Sequence, residues 1–141
     1  MARKSDFTDQ EWESLHKGVA GAGLLVSVSD RGFFDTFKEA GALAKHLGAA
    51  RQSSNELVRE LAETRGTGFG LATSPEKVEA ETLEALRSAI STLQSKAPED
   101  VDAYRGLVLD VAQSVADAAG GGDAGESGAL AQVRSALGSP A

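Results

Sequence analysis

Residues 7–28, FTDQEWESLHKGVAGAGLLVSV, decide the fold. Thr8 stands where a helix N-cap belongs, and Glu11 follows at the third helical position. Together they form a capping box, in which the hydroxyl and the carboxylate each satisfy one free backbone N–H at the helix start. Phe7 and Trp12 flank the cap as a hydrophobic staple. Beyond it, Trp12, Leu15, Val19, Ala22 and Val26 recur by threes and fours, which keeps one apolar stripe against a core. The pattern predicts a helix from the Thr8 cap to about Ser29. Leu24, Leu25 and Val28 widen the stripe, so the end of this helix is expected to be buried on most sides. Gly18, Gly21 and Gly23 each cost about 1 kcal/mol relative to alanine inside a helix. Close approach of a neighbouring helix is the expected reason for them. A small-residue seam within a membrane is the alternative. The apolar run Gly18–Val28 is only eleven residues long, well short of the roughly 20 needed to span a bilayer.

The same periodicity continues outward. Asp30-Arg31-Gly32 breaks the chain, and a second helix is expected through about Leu47 on the stripe Phe33, Phe37, Ala40, Ala44 and Leu47, with Gly48 as its stop. A short third helix follows Ser53 and Glu56, read as a second capping box, with Leu57, Val58 and Leu61 inward and Gly66 at its end. Residues 66–73 form a glycine-rich connection. A fourth helix opens at Ser74-Pro75, a cap followed by proline at the first helical position, and carries Val78, Leu83, Leu86, Ile90 and Leu93. A fifth starts at Pro98 on Val101, Tyr104, Val108, Val111 and Val115. After the loop GGGDAGES a last helix carries Ala129, Leu130, Val133 and Leu137, closed by Gly138 and Pro140. The acids at both later starts, Glu76 and Glu79, then Glu99, Asp100 and Asp102, suit the positive end of a helix dipole. The expected fold is all-α: a compact helical bundle of about six helices in one domain over 1–141, with short flexible ends at 1–6 and 138–141. Gly41-Ala42-Leu43-Ala44 before Leu47-Gly48 is echoed by Gly128-Ala129-Leu130-Ala131 before Leu137-Gly138. The echo reads either as two related helix–corner–helix halves or as alanine–glycine bias.

Composition narrows the function classes. The chain has 141 residues, 41% of them hydrophobic and 25% charged, an ordinary soluble balance at the size of a single domain. Only seven aromatics are present, so aliphatic residues must fill the interior. There is no cysteine, which excludes disulfides, thiolate metal sites and cysteine nucleophiles and suits a reducing cytoplasm. Acids where a signal peptide needs positive charge (Asp6, Asp9, Glu11, Glu13) point to a mature chain starting at Met1 and a cytoplasmic location. The net charge is −7, and residues 71–141 hold five Lys/Arg against eleven Asp/Glu. Such a chain lacks the phosphate-neutralising surface that nucleic-acid binding requires. Arg51, Arg59 and Arg65 read as solvated helix faces.

Catalytic constellations are sparse. His16 and His46 have no partner at a catalytic spacing and read as surface residues. No phosphate loop, dinucleotide fingerprint or nucleophile elbow is present. Gly66-Thr67-Gly68-Phe69-Gly70 follows a helix rather than a strand and lacks a phosphate-binding lysine. Two acidic corners remain. Asp30 and Asp35, with Glu39, stand at the first; Asp117, Asp123 and Glu126 stand around the second. Carboxylates with loop carbonyls are the ligand set of hard cations, so Asp30, Asp35, Asp123 and Glu126 are the candidate divalent-metal ligands, although Asp30 also serves as a helix cap.

At these corners the chain resembles the TerB-like group, bacterial all-α proteins associated with tellurite resistance and stress-response systems. The resemblance lies in the apolar helix Val19–Val28 running into Asp30, Gly32 and a helix with an acid and a leucine. It recurs as 111–119 with the glycine-rich corner, Glu126 and Leu130. It implies a cytoplasmic, non-catalytic module acting beside membrane or chaperone-like partners. From the absent catalytic groups, the acidic surface and the compact helical fold, the leading expectation is a non-enzymatic interaction or scaffold module of a bacterial cytoplasmic assembly, with no cofactor and an unidentified protein partner. The alternatives are a divalent-metal-responsive protein using the acidic corners, and an enzyme subunit whose site another chain completes.

Overall fold

The computed structural model describes residues 3–28, 45, 47–64, 74–118 and 124–138, apart from the side chains of 118 and 124–127. Five α-helices pack against one another: α1 (Asp9–Ser27), α2 (Glu56–Glu63), α3 (Pro75–Lys96), α4 (Val101–Ala118) and α5 (Ala124–Ala136). Short 3₁₀ turns stand at Lys4–Asp6, Ala50–Gln52 and Pro98–Asp100, and among the described residues there is no strand. The fold is all-α, with five described helices where about six were expected. The second expected helix, Phe33 to Leu47, lies outside the described residues except at its end, where Lys45 is helical and Leu47 is buried in a turn.

The sequence signals at the start of α1 act as written. The Glu11 N–H donates to Thr8 Oγ1 at 3.1 Å, and the Thr8 N–H donates to Glu11 Oε1 at 2.8 Å. The Phe7 and Trp12 rings lie 6.1 Å apart, with Lys96 Nζ 5.9 Å from the Phe7 ring and Lys4 Nζ 5.9 Å from the Trp12 ring. Lys96 also donates to Glu11 Oε1 at 2.5 Å. That hydrogen bond, followed by the one from the Thr8 backbone, holds the Glu11 carboxyl below its ordinary value of 4.5. Arg3 pairs with Glu56 at 3.1 Å and the Lys4 N–H donates to Glu60, so residues 3–6 are tied to α2.

Helix α1 is the centre of the molecule. It packs along α3 and α4 and also meets α5 and α2, and every residue from Gly18 to Ser27 is buried. Its glycines admit the neighbours. A Cβ on Gly18 would overlap the Tyr104 hydroxyl of α4 and press on Leu86 Cδ2 of α3 at 3.0 Å. A Cβ on Gly21 would overlap Thr82 Oγ1, with Thr82 Cβ and Cγ2 both at 3.0 Å. Tyr104 donates its hydroxyl proton to the Leu15 carbonyl at 2.7 Å, and complete burial raises its pKa far above the ordinary 10.

Other local expectations move by a residue or a turn. Helix α2 is capped by Asn55 rather than Ser53, and it ends at Glu63 with Thr64 as its C-cap; Gly66, the expected stop, lies outside the described residues. In α3 the Ser74 cap and the proline at the first turn are present, with Ser74 Oγ accepting from the Lys77 N–H at 3.3 Å. Its buried stripe, however, runs through Val78, Thr82, Leu86, Ile90 and Leu93, and Leu83 is only half-buried. Pro98 opens a 3₁₀ turn, and α4 begins at Val101 with all five expected stripe residues buried. Helix α5 begins at Ala124, inside the stretch expected as loop, and ends through Gly138 at φ 66°. His16, expected at the surface, is 6% exposed. A helix enclosed by four others has almost no solvent face left for it.

Candidate functional site

The polar groups that the structure brings together stand between α2 and α4. Asn55 has the side chain of an N-cap and uses both ends of it. Its Oδ1 accepts from the Val58 N–H at 3.1 Å, while its Nδ2 donates to Asp100 Oδ1 at 3.1 Å. Asp100 lies in the turn that leads into α4 and is only 1% exposed. Buried polar groups need partners, and this one joins the starts of two helices 45 residues apart in sequence. Ser53 Oγ accepts the Asn55 N–H at 3.1 Å. Arg59 donates to the Ser53 carbonyl at 3.2 Å, and Arg51 Nε to the Ala62 carbonyl at 3.4 Å. The turn 50–52 is thereby pinned onto α2.

Beside this link lies an open groove of about 400 Å³. One bank is Ala49, Ala50, Ser53, Asn55 and Val58; the other is the α4 face Ala103, Gly106, Leu107, Asp110 and Val111. The floor is apolar and built largely of small residues. Gly106 is exposed in the interior of α4, and a Cβ built on it would meet nothing within 4 Å. Gly128 in α5 has the same open surroundings but lines no groove, so the glycine alone carries nothing; its place in the wall of a cleft matters. The exposed charges of α4 and its leading turn are Glu99, Asp102, Asp110 and Asp117, against the single base Arg105. Arg105 folds away toward the chain end, donating to the Leu137 carbonyl at 3.0 Å. Gly106, Asp110 and Asp117 follow at steps of four and seven, so they share one helix face.

The groove offers an amide, a hydroxyl, a carboxylate and an apolar floor. A smaller depression of about 180 Å³ lies between α1 and α3 at Ser14, Lys17, Glu81, Glu84, Ala85 and Ser88. Its Glu81 is paired with two cations: Lys17 Nζ is 2.8 Å and Lys77 Nζ 3.8 Å from its two oxygens. The hydrogen bond from Lys17 is the main cause of the lowered Glu81 pKa.

None of the four residues expected to hold a metal has a described side chain. Asp30, Asp35 and Asp123 lie outside the described residues, as do Glu39 and His46; Glu126 falls within α5, where its side chain is not described. Asp117, from the second acidic corner, is exposed and accepts from Gln113 at 3.0 Å. Among the described residues no group of three or more potential ligands forms a metal cluster, and no helix is long and apolar enough to cross a membrane. Sequence reasoning passes over Asn55 and Gly106 and assigns Asp100 only to a helix dipole. The only advance signal was the glycine, placed mid-helix at a position outside the apolar stripe. No protein-family model matches the chain, and neither does any curated protein or solved structure.

Proposed function

We propose that this chain is a non-enzymatic interaction module of a bacterial cytoplasmic assembly, with the α2–α4 groove as the face that seats its protein partner. The resemblance to the TerB-like group agrees with such a role. One observation carries the reading. An exposed helix-interior glycine, unexplained by packing within the described residues, stands in the wall of an apolar cleft. Glycine there costs about 1 kcal/mol against alanine, and what it offers in return is close approach of another backbone. The net charge of −7 speaks against nucleic acid as the partner, because phosphate contacts need cations. The metal-responsive alternative rests on acidic corners in which only Asp117 has a described side chain.

The test is site-specific photo-crosslinking in the native host. A crosslinking residue at position 106 is expected to trap one discrete protein. The same residue at position 128 is expected to trap none, and Asp110→Lys is expected to abolish the product from position 106. Equal products from both positions, or none from position 106, would remove the groove from consideration as the contact face.

A further inference from the structure

Taking the groove as the contact face, we infer that its occupant is an amphipathic helix with a basic flank, its apolar stripe against Ala50, Ala103 and Gly106 and its lysines or arginines beside Asp110 and Asp117. The floor argues for a helix. Ala49, Ala50, Ala103 and Gly106 keep both banks low, and low banks let a second backbone lie close, as in helix-in-groove recognition. The apolar contact comes from the accessible Ala49, Ala50 and Ala103, with the buried Leu107, Val111 and Val58 beneath them. Helix pairs also bury the backbone polar groups of the guest without asking the groove for hydrogen bonds, and here Asn55 and Ser53 already spend theirs on α2 and Asp100.

The charges argue for a basic flank. Along the α4 bank, Asp110 and Asp117 stand exposed on the face that carries Gly106, and Glu99 and Asp102 are exposed at the same end as the buried Asp100. Their only cationic neighbour on that helix is Arg105, which is turned to Leu137 and to Asp102 at 3.3 Å. Arg51 and Arg59 stand on the opposite bank and donate to carbonyls of their own segment. A guest helix with cations on the α4 side thus meets carboxylates. One with acids on that side meets like charge, and the field of the whole chain, at −7, opposes its approach. A second copy of this acidic chain is disfavoured on the same ground.

The experiment uses two synthetic amphipathic helices of one apolar pattern, one built from leucine and lysine and the other from leucine and glutamate. Binding to the full chain is measured by calorimetry, and the contact face is mapped by amide shifts in NMR. The leucine–lysine helix is expected to bind at least about tenfold more tightly, with shifts centred on Ala103, Gly106 and Asp110. Each of Asp110→Asn and Asp117→Asn is expected to weaken it by about threefold, the scale of an exposed ion pair. Gly106→Leu, whose side chain enters open space and leaves the fold intact by thermal melt, is expected to weaken binding at least about tenfold, whereas Gly128→Leu leaves it unchanged. Equal affinity for the two helices overturns the proposal. So does binding of the lysine helix that survives Gly106→Leu, because that is adsorption to an acidic surface. If neither helix binds while position 106 still traps a protein in cells, the helix proposal falls and the interaction reading stands. If the lysine helix binds at the groove and nothing is trapped in cells, the groove's preference stands and the interaction reading falls.

Discussion

Where α1 meets α3 and α4 at Gly18 and Gly21 there is no room for a Cβ, whereas an open groove lies between residues 49–58 and α4. Both junctions involve glycine. In the first, the space beside Gly18 and Gly21 is already taken by Tyr104, Leu86 and Thr82. In the second, the space beside Gly106 is empty. The same residue type therefore has opposite meaning: at the seam it is required by what has been packed against it, and at the groove nothing within the described chain requires it. Substitution tests that difference directly, because adding carbon should cost stability at the seam and add stability at the groove.

The largest effect is expected at Gly21. Valine there must displace Thr82, whose Cβ and Cγ2 already stand 3.0 Å from an added Cβ, and overpacking of this kind costs about 3 kcal/mol at the upper end of its usual range. Gly21→Ala should cost less, since alanine recovers about 1 kcal/mol of helix propensity. Thr82→Ala should then rescue Gly21→Ala. It removes both the obstructing hydroxyl and a buried polar atom that makes no hydrogen bond among the described residues. A double-mutant cycle by denaturant melts reads the coupling. Strict additivity would mean that the seam opens to admit the methyl group without using Thr82.

Tyr104 is the next probe of the seam. It is the only tyrosine, fully buried, with its pKa raised by desolvation. A folded-state pKa above the unfolded one means that the folded chain keeps a proton which the unfolded chain releases. The associated stability is complete below about pH 10 and declines as pH rises beyond it. Phenolate absorbance should therefore appear only together with loss of helical circular dichroism. Ionisation near pH 10 in a chain that remains folded would show that the phenol is reached by solvent. Tyr104→Phe should cost about 1 kcal/mol for the lost hydrogen bond to Leu15 and, by removing the hydroxyl, should make Gly18→Ala tolerable.

These contrasts also show what was legible in the sequence. Caps and staples were, because a capping box involves atoms three residues apart: Thr8 and Glu11, and Ser74 before Pro75, act as their spacing predicts. The expectation that α1 glycines admit a neighbour also holds for Gly18 and Gly21, since a glycine inside an apolar stripe has few other uses. Ser53 and Asn55 are both good caps, and only the backbone path, extended at Asn55 with the helix following at once, chooses between them. Thr82 displaced Leu83 from the stripe because a helix this close to glycines takes a small residue at the contact. His16 was misplaced because one stripe was taken to be buried where four neighbouring helices enclose α1. The Asn55–Asp100 link and the groove beside it were invisible, since they depend on which two segments, remote in sequence, become neighbours. Asp100 read as a dipole acid, and nothing local distinguishes a solvated one from a buried one.

A smaller, local effect calibrates these comparisons. Thr8→Ala removes the hydroxyl that accepts from Glu11 N–H and should cost about 1 kcal/mol without altering either junction. Calorimetric melts check it. No loss would mean that the Phe7–Trp12 packing and the Lys96–Glu11 bond hold the helix start without the cap.

The smallest expected effect has the opposite sign and decides the comparison. At Gly106 an added methyl group meets no atom, so Gly106→Ala should gain the helix propensity that glycine forfeits, about 0.5–1 kcal/mol. Gly128→Ala, equally open, should gain a similar amount, which makes it the internal standard. If both substitutions stabilise while only Gly106→Ala weakens capture of the partner or of the lysine helix, the glycine in the groove wall serves contact at the expense of stability. If Gly106→Ala destabilises, some part of the chain already lies against that face, and the groove is an internal contact rather than a docking surface. Equal gains with no effect on binding would place Gly106 with Gly128 as compositional bias, leaving the carboxylates of α4 to carry recognition alone.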